Sequence, residues 1–545
     1  MINKENIYKN LLKLVEVPSV SGTLQEVLGA YKIQELLYEI PYFNLHRDEV
    51  KLIPLENDPF GRYIVSAYLD LEPSCQETVI LTGHYDVVDV EEYGHLIDKA
   101  YNVEEITSCI NQMPLDRDSQ KDFESGEWLF GRGTADMKYG HALCIELLRH
   151  FSEQGGIKGK LLYVAVCGEE TNSEGMLRAV PFFNKLAEEK NLKYSAFLLT
   201  ECYMMDDQAN DSNRYIHYGA SGKIMPMFFF VGEATHAGEP FLGFDPNLTA
   251  TEVYREMEFN VDFCQQNHGQ TTPPPVCLKY QNLKNTYSVS TPLYSAAYYN
   301  IITIHMNPEE VLNKLMEIGQ KAFDNALKFM NEKADNYEKI TGERPVTYPY
   351  TSCIKTFYDI YNEVKKNYNG NLDDYIKSYA VKLMEEKVEI QEICIRIVKK
   401  VYELYKDKKP MIIVSIIPPY YPDVYMDKTE KDADNLLSCV EDIIQYAKDE
   451  YDETLKMKDY FMGISDMCYT NLSKDMNFDK MFENIVGVNS IYQFPMEDLK
   501  KFSVPGIVLG GYGKDFHKHT ERIHKDYNFN ILPDLYVQLI KKLLK

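Results

Sequence analysis

Apolar positions in the first 200 residues fall into two alternating rhythms. Short continuous runs at 63–68, 78–82, 161–166 and 197–200 predict buried strands. Between them, residues 139–153 place Leu143, Ile145, Leu147 and Leu148 at helical spacing. Strands separated by helices predict an α/β fold whose mostly parallel sheet is covered on both faces. The rhythm changes near residue 219. Strands are predicted at 223–231, 287–290 and 295–304, and helices at 247–260 and 308–332, with Pro308 in the first turn of the latter. Strands with two helices on one face predict a separate small α+β domain. Residues 350–408 are almost wholly of helical pattern, rich in Lys and Glu with one apolar stripe. They predict either a solvated helical insertion packed on the main sheet or a partner-binding arm. A strand at 411–417, a helix at about 430–452 and a late strand at 504–511 ending in a glycine turn complete the pattern. The richest apolar runs, 228–231 and 411–414, are strand-sized, so no membrane-spanning helix is expected.

Composition narrows the class. The 545 residues suggest three or four domain-sized units of about 150 residues each. Apolar residues make up 45% and charged residues 26%, the usual balance of a globular chain. Lys plus Arg is 58 against 83 Asp plus Glu, a formal charge of −25. Such a chain is repelled by phosphate backbones, which argues against nucleic-acid binding. Residues 1–6 lack the apolar core of a secretion signal. The 11 cysteines are scattered singly with no Cys-x-x-Cys pair, which predicts reduced thiols in a cytoplasm.

Five segments place His, Asp or Glu at the C-terminal end of a predicted strand, where open α/β sheets build their sites. In Gly83-His84-Tyr85-Asp86, His84 and Asp86 fall on one side of an extended chain. A carboxylate so placed either holds a metal-ligating imidazole or makes a plain structural hydrogen bond. In Gly131-Arg132-Gly133-Thr134-Ala135-Asp136, the glycines allow a tight turn that aims Asp136 inward; a phosphate-cradling loop is the rival, but the rest of that fingerprint is missing. The paired Glu169 and Glu170 repel unless a cation sits beside them, and a divalent metal serves best. One glutamate can then bind the metal while the other handles protons. Glu201 and the stretch Gly510 to Arg522, with His517 and His519, are the fourth and fifth segments.

Taken together, His-x-Asp-x-Val, Gly-Arg-Gly-x-x-Asp-Met-Lys and Glu-Glu-x-x-Ser-x-Gly in this order resemble the di-zinc exopeptidase and amidohydrolase family. That family includes aminoacylases, glutamate carboxypeptidase, peptidase T and succinyl-diaminopimelate desuccinylase. Within it the chain is most similar to the arginine-utilisation branch, over residues 5–335 and 455–545. The resemblance implies a catalytic domain in two parts, 1–218 and 336–545, with the 350–408 insertion in the second part and a lid domain at 219–335 between them. It implies two zinc ions; the nitrogen and carboxylate donors suit zinc, and ligand type alone also allows cobalt or manganese. His84, Asp136 and Glu201 would hold one ion, and Asp136, Glu170 and His517 the other. His517 is preferred to His519 because the family places this ligand four residues before a Glu, here Glu521. Asp86 would clamp His84, and Glu169 would activate a metal-bridging water. His236, in the lid motif Val231-Gly232-Glu233-Ala234-Thr235-His236, would stabilise the oxyanion. A cis peptide at Asp136–Met137 is expected too.

The resemblance thus implies hydrolysis of an amide or peptide bond in a small peptide or N-acyl amino acid. It also implies a homodimer paired through the lid, unless the helical block covers that surface. Three features depart from the family pattern. Gly168 stands where an Asp is usual, Cys202 follows Glu201, and the His84–Asp136 spacing is long, so residues 92–125 are expected to form an inserted loop. The rival from another class is a non-catalytic metal-binding or scaffold protein on the same fold. Retention of both Glu169 and the full ligand set argues against it, because a binder needs no proton shuttle.

Overall fold

A computed structural model describes residues 2–203, 211, 213–347, 349–426, 428–472, 478–488 and 490–545. The chain divides into two compact units. One comprises Met1–Ser221, Pro422–Leu472 and Pro495–Lys545, and the other Gly222–Tyr421 and Ser473–Phe494.

The first unit is built on an eight-stranded sheet. Its middle is parallel: Lys160–Val166, Glu77–His84, Lys193–Leu199 and Gly506–Val508 run side by side in that order. Toward one edge the pairing turns antiparallel, through Tyr63–Asp70 and Val50–Pro54. The sheet is therefore mixed, parallel where the site residues emerge. Every residue of Lys160–Val166 is buried, as expected for a strand covered on both faces. Side chains alternate between those faces. Val79 and Leu81 join the core shared with the helices Tyr139–Gln154, Lys431–Tyr451 and Leu532–Leu543. On the opposite face, Phe197 meets Phe183 of the helix Glu174–Lys190, with ring centroids 6.4 Å apart.

The second unit carries a five-stranded sheet in the order Val276–Asn282, Tyr294–Thr303, Gly222–Val231, Met411–Tyr421 and Ile354–Thr356. The helices Pro246–Met257 and Pro308–Thr341 cover one face, where Phe244 stacks on Phe323. The helical block is neither a satellite of the main sheet nor part of the second catalytic segment. Its helices Phe357–Asn367, Leu372–Glu385 and Ile390–Leu404 cover the other face of this smaller sheet. The cause is the strand Gly222–Val231, which is apolar on both sides. Met225, Met227, Phe229 and Val231 point toward Ile393, Ile397 and Val401 and need that cover. The strand expected at 287–290 does not form. Tyr287 is 94% exposed there, and only Ser290 makes an isolated bridge, to His236.

No helix among the described residues is long and apolar enough to cross a membrane. All the cysteines are free thiols.

Candidate metal centre

The four parallel strands of the first unit bring their C-terminal ends to one place. His84 is the last residue of its strand, Glu169 and Glu170 follow Val166, Glu201 follows Leu199, and the segment bearing His517 follows Val508. Gly510 makes one of these approaches possible. A Cβ there would lie 1.6 Å from the Glu201 carbonyl oxygen, so only a glycine fits.

His84 is fully buried. Its Nδ1 lies 3.0 Å from the Asp86 carbonyl oxygen, and its Nε2 lies 3.0 Å from Asp136 Oδ1. A ring that donates through Nδ1 has only a lone pair at Nε2 when neutral. That lone pair faces a carboxylate, so a proton or a metal cation must mediate. Burial disfavours the protonated ring, but the Asp136 hydrogen bond and the charges of Glu169, Asp136 and Asp86 outweigh it and raise the His84 pKa well above its usual value.

Asp136 reaches two imidazoles. Its Oδ2 lies 3.2 Å from His517 Nε2, while its Oδ1 faces His84. Burial alone would raise its pKa. The two histidines reverse that and hold the carboxyl well below the usual range. The backbone N–H groups of Ala135 and Asp136 both donate to Glu521 Oε1, at 3.1 and 3.2 Å. Arg132 donates to the other oxygen of Glu521 at 2.6 Å. The Asp136–Met137 peptide is cis.

Asp86 has a second task beside His84. Its two carboxylate oxygens accept the backbone N–H groups of Glu169 and Glu170, at 3.2 and 3.1 Å. The turn before them explains Gly168. Its φ is +70°, and a Cβ would meet Glu174 Oε2 at 2.3 Å. The buried Glu26 carboxylate accepts the Gly168 N–H at 2.8 Å and pairs with Arg62 at 3.2 Å, tying the turn to the helix Gln25–Tyr38.

Glu170 lies 3.1 Å from His517 Nε2. Burial raises its pKa, and Asp136 adds to the effect. Glu169 is buried with one oxygen 4.0 Å from His84 Nε2. Burial raises its pKa strongly, and the charges of Glu201, Glu170 and Asp466 act in the same direction. Glu201 is also buried and raised by burial, and accepts a 3.0 Å hydrogen bond from Ser465 Oγ. His517 is half exposed. Asp136 and Glu170 raise its pKa to about 10. His519 turns away and lies 2.9 Å from the Pro114 carbonyl oxygen.

One ligand atom each from His84, Asp136 and Glu170 lies within 4.8 Å of the others, a spacing able to surround a metal ion. Excess negative charge supports the same conclusion. Among the described residues, Asp136, Glu169, Glu170 and Glu201 are set around two imidazoles, and burying unbalanced carboxylates is costly.

Sequence reasoning missed Asp466. It is fully buried, neither carboxylate oxygen has a hydrogen-bond partner among the described residues, and burial raises its pKa to about 7. It is close enough to His84, Glu169 and Glu201 to shift their ionisation, or to be shifted in turn. The Gly463-Ile464-Ser465-Asp466 stretch was the available signal, but it follows the short edge strand Leu455–Lys458 rather than an apolar run. His236 lies in the second unit, exposed beyond the strand Gly222–Val231, where its Nδ1 accepts the Gly238 N–H at 3.0 Å.

Comparison with known proteins identifies the family. The description "Peptidase family M20/M25/M40" matches residues 80–542. The uncharacterized protein YqjN of Bacillus subtilis (strain 168) is 32% identical over 545 residues, covering 99% of this chain and 97% of that protein. Protein RocB of the same organism is 30% identical over 535 residues, covering 98% and 94%. Among solved structures, the dipeptidase Dug1p from Saccharomyces cerevisiae matches with a TM-score of 0.55 at 13% identity, covering 99% of this chain and 96% of its own. A tripeptidase from Staphylococcus aureus subsp. aureus mu50 matches with a TM-score of 0.52 at 14% identity, covering 100% and 99%. Both structures share the fold. The chain belongs to peptidase family M20/M25/M40, and its class is that of the metal-dependent peptidases.

Proposed function

We propose that this protein is a two-zinc hydrolase that cleaves the amide or peptide bond of a small peptide or an N-acyl amino acid. The observation that carries the reading is Asp136, whose two oxygens face His84 and His517 at 3.0 and 3.2 Å. A carboxylate shared between two imidazoles is the arrangement needed to bridge two cations. His84, Asp136 and Glu201 would hold one, and Asp136, Glu170 and His517 the other. Imidazole and carboxylate donors suit zinc, and cobalt and manganese accept the same donor types. Bound there, divalent cations supply Lewis acidity, lowering the pKa of water and polarising the scissile carbonyl.

The protein's own groups do the rest. The backbone carbonyl of Asp86, not the carboxylate expected to clamp the ring, holds His84 through Nδ1 and leaves Nε2 facing the site; the carboxylate stands 3.7 Å away. By accepting the Glu169 and Glu170 N–H groups, the same Asp86 fixes the two glutamates relative to that ring. Glu169 takes a proton from the attacking water and returns it to the leaving nitrogen. Its burial favours holding that proton between the two transfers. His236 is assigned to the developing oxyanion, by its place in the lid motif. The free thiols suit a reducing cytoplasm, and pairing of two copies through the second unit is the assembly proposed.

The test combines metal analysis with a substrate panel of dipeptides, tripeptides and N-acyl amino acids, arginine compounds included. Two metal ions per chain and hydrolysis of at least one class are expected, with Asp136→Ala losing both ions. A wild-type protein that retains less than one ion per chain in excess zinc, and hydrolyses nothing on the panel, overturns the reading.

A further inference from the structure

The stretch between His84 and Asp136 is not a loop. It folds into the helices Val103–Cys109 and Arg117–Ser125, joined by a short 3-10 turn at Ile110–Gln112. Val103, Ile106 and Ile110 anchor it in the core of the first unit. Asp116 caps the second helix by accepting the Ser119 N–H at 2.8 Å, and Gly126 ends it at φ +71°. Asp118 and Asp122, one turn apart, share a face of this helix.

That face grips the hairpin that carries His517. The hairpin strands are Gly513–Lys514 and Arg522–His524, and the loop between them bears His517. Lys514 Nζ lies 2.9 Å from both Asp118 and Asp122. Arg522, fully buried, gives 2.7 Å bonds to each of the same two carboxylates. It also pairs with Asp515, which accepts a 2.9 Å bond from Thr520 within the loop. Both cations lie over the Trp128 ring, at 4.8 and 5.4 Å from its centroid. The inserted segment touches the loop again through Pro114 and His519. His517 itself is half exposed at φ +63°, so its own burial does not hold it in place. Two of the anchors that hold its loop, at 514 and 522, end on the helix Arg117–Ser125; a third, Glu521, is held by Arg132 and the Ala135 and Asp136 N–H groups.

We infer that the helix Arg117–Ser125 is a positioning element for the second metal site: Asp118 and Asp122, acting through Lys514 and Arg522, set where His517 presents its ring. This rests on the reading of His517 as a metal ligand. The helix lies hundreds of residues from His517 in sequence, and Lys514, Arg522 and the Pro114–His519 contact are what join it to the loop that bears His517.

The experiment is zinc binding to the full-length protein at a series of buffered free-zinc concentrations, read by elemental analysis. Asp118→Asn with Asp122→Asn is compared with wild type and with His517→Ala. Loss of a supporting partner typically weakens a metal site about 10- to 100-fold. The double variant is therefore expected to bind one of its two zinc ions at least about 10-fold less tightly, in the pattern His517→Ala gives, with the other unchanged. Restoring the carboxylates as Glu at both positions should recover part of the loss. A folded double variant that binds both ions with wild-type affinity, at whatever cost to melting temperature, overturns the inference. Should the double variant fail to fold, Lys514→Met decides. It removes one anchor and keeps the Arg522 pairs, and must weaken the second zinc selectively; unchanged affinity overturns the inference. A wild-type protein that binds no zinc removes the metal reading itself. A wild type and variants that bind two ions alike remove only the positioning role.

Discussion

Glu169 combines features that suit a proton carrier. It is buried, its pKa is pushed up by burial and by three neighbouring carboxylates, and its nearest cationic partner, His84 Nε2, stands 4.0 Å away. Replacing it with Gln keeps the shape and removes the ability to accept a proton. Glu169→Gln is expected to retain its metal and lose about 10²- to 10⁴-fold in kcat, the usual weight of a general acid–base. A variant with wild-type kcat and full metal content would remove Glu169 from the mechanism. His141 allows a prediction of a different kind. Its buried ring lies 2.7 Å from the Tyr163 hydroxyl, and burial lowers its pKa to about 3. A histidine lowered in the folded state is neutral there while the unfolded chain takes up a proton, so its contribution is complete above pH about 6.5. Stability is then lost as pH falls from 6.5 toward 3, at up to about 1.4 kcal/mol per pH unit. Thermal unfolding of the chelator-treated protein should show this acid slope, and His141→Asn should flatten it. Parallel slopes in the two proteins would assign the acid lability elsewhere.

At the scale of elements, the site depends on how closely neighbouring chain segments approach. Gly510 lets the segment after Gly506–Val508 pass against the Glu201 backbone, where an added methyl would lie 1.6 Å from the carbonyl oxygen. Gly510→Ala must move one of the two. Overpacking of this kind costs about 1–3 kcal/mol or more, so urea unfolding should register the loss together with weaker metal binding through the proposed ligand Glu201. An Ala variant with unchanged stability and metal content would show that the approach relaxes freely. The residues at strand ends were readable in the sequence because buried parallel strands are continuous apolar runs, and an acidic or imidazole side chain closing such a run stands out. Asp466 was not readable. Its preceding strand, Leu455–Lys458, alternates apolar and charged residues at the sheet edge, and Ser465-Asp466 comes several residues later. The reverse error came at 287–290, where alternating side chains read as a strand but no neighbour offered a ladder. Periodicity also exposed the apolar stripe of 350–408 without naming the surface that would cover it. The clue lay elsewhere, in the unbroken run 228–231, whose two faces both need burial.

Across the whole molecule, two separate cores do different work. The first unit gathers every residue assigned to the metal ions, while the second is a sheet enclosed by helices on both faces. The helices Phe357–Asn367, Leu372–Glu385 and Ile390–Leu404 carry many exposed charges, but a charged outer surface does not make them dispensable. Pairs such as Glu392 with Arg396, at 2.9 Å and partly exposed, contribute about 0–1 kcal/mol each. The inner face carries the stability. Ile393, Ile397, Val398 and Val401 are essentially buried against Met227, Phe229 and Ile413. Ile397→Ala should therefore cost about 2–5 kcal/mol, against about 0.5 kcal/mol or less for Arg396→Ala on the outside. Removing 357–404 altogether would leave one apolar face of the smaller sheet in water. A truncated chain is expected to aggregate or bind a hydrophobic dye strongly, and the transition of the second unit should vanish from calorimetry. A soluble, cooperatively melting truncation would mean that this face has another cover, and the helices would then be free to serve as a partner-binding arm.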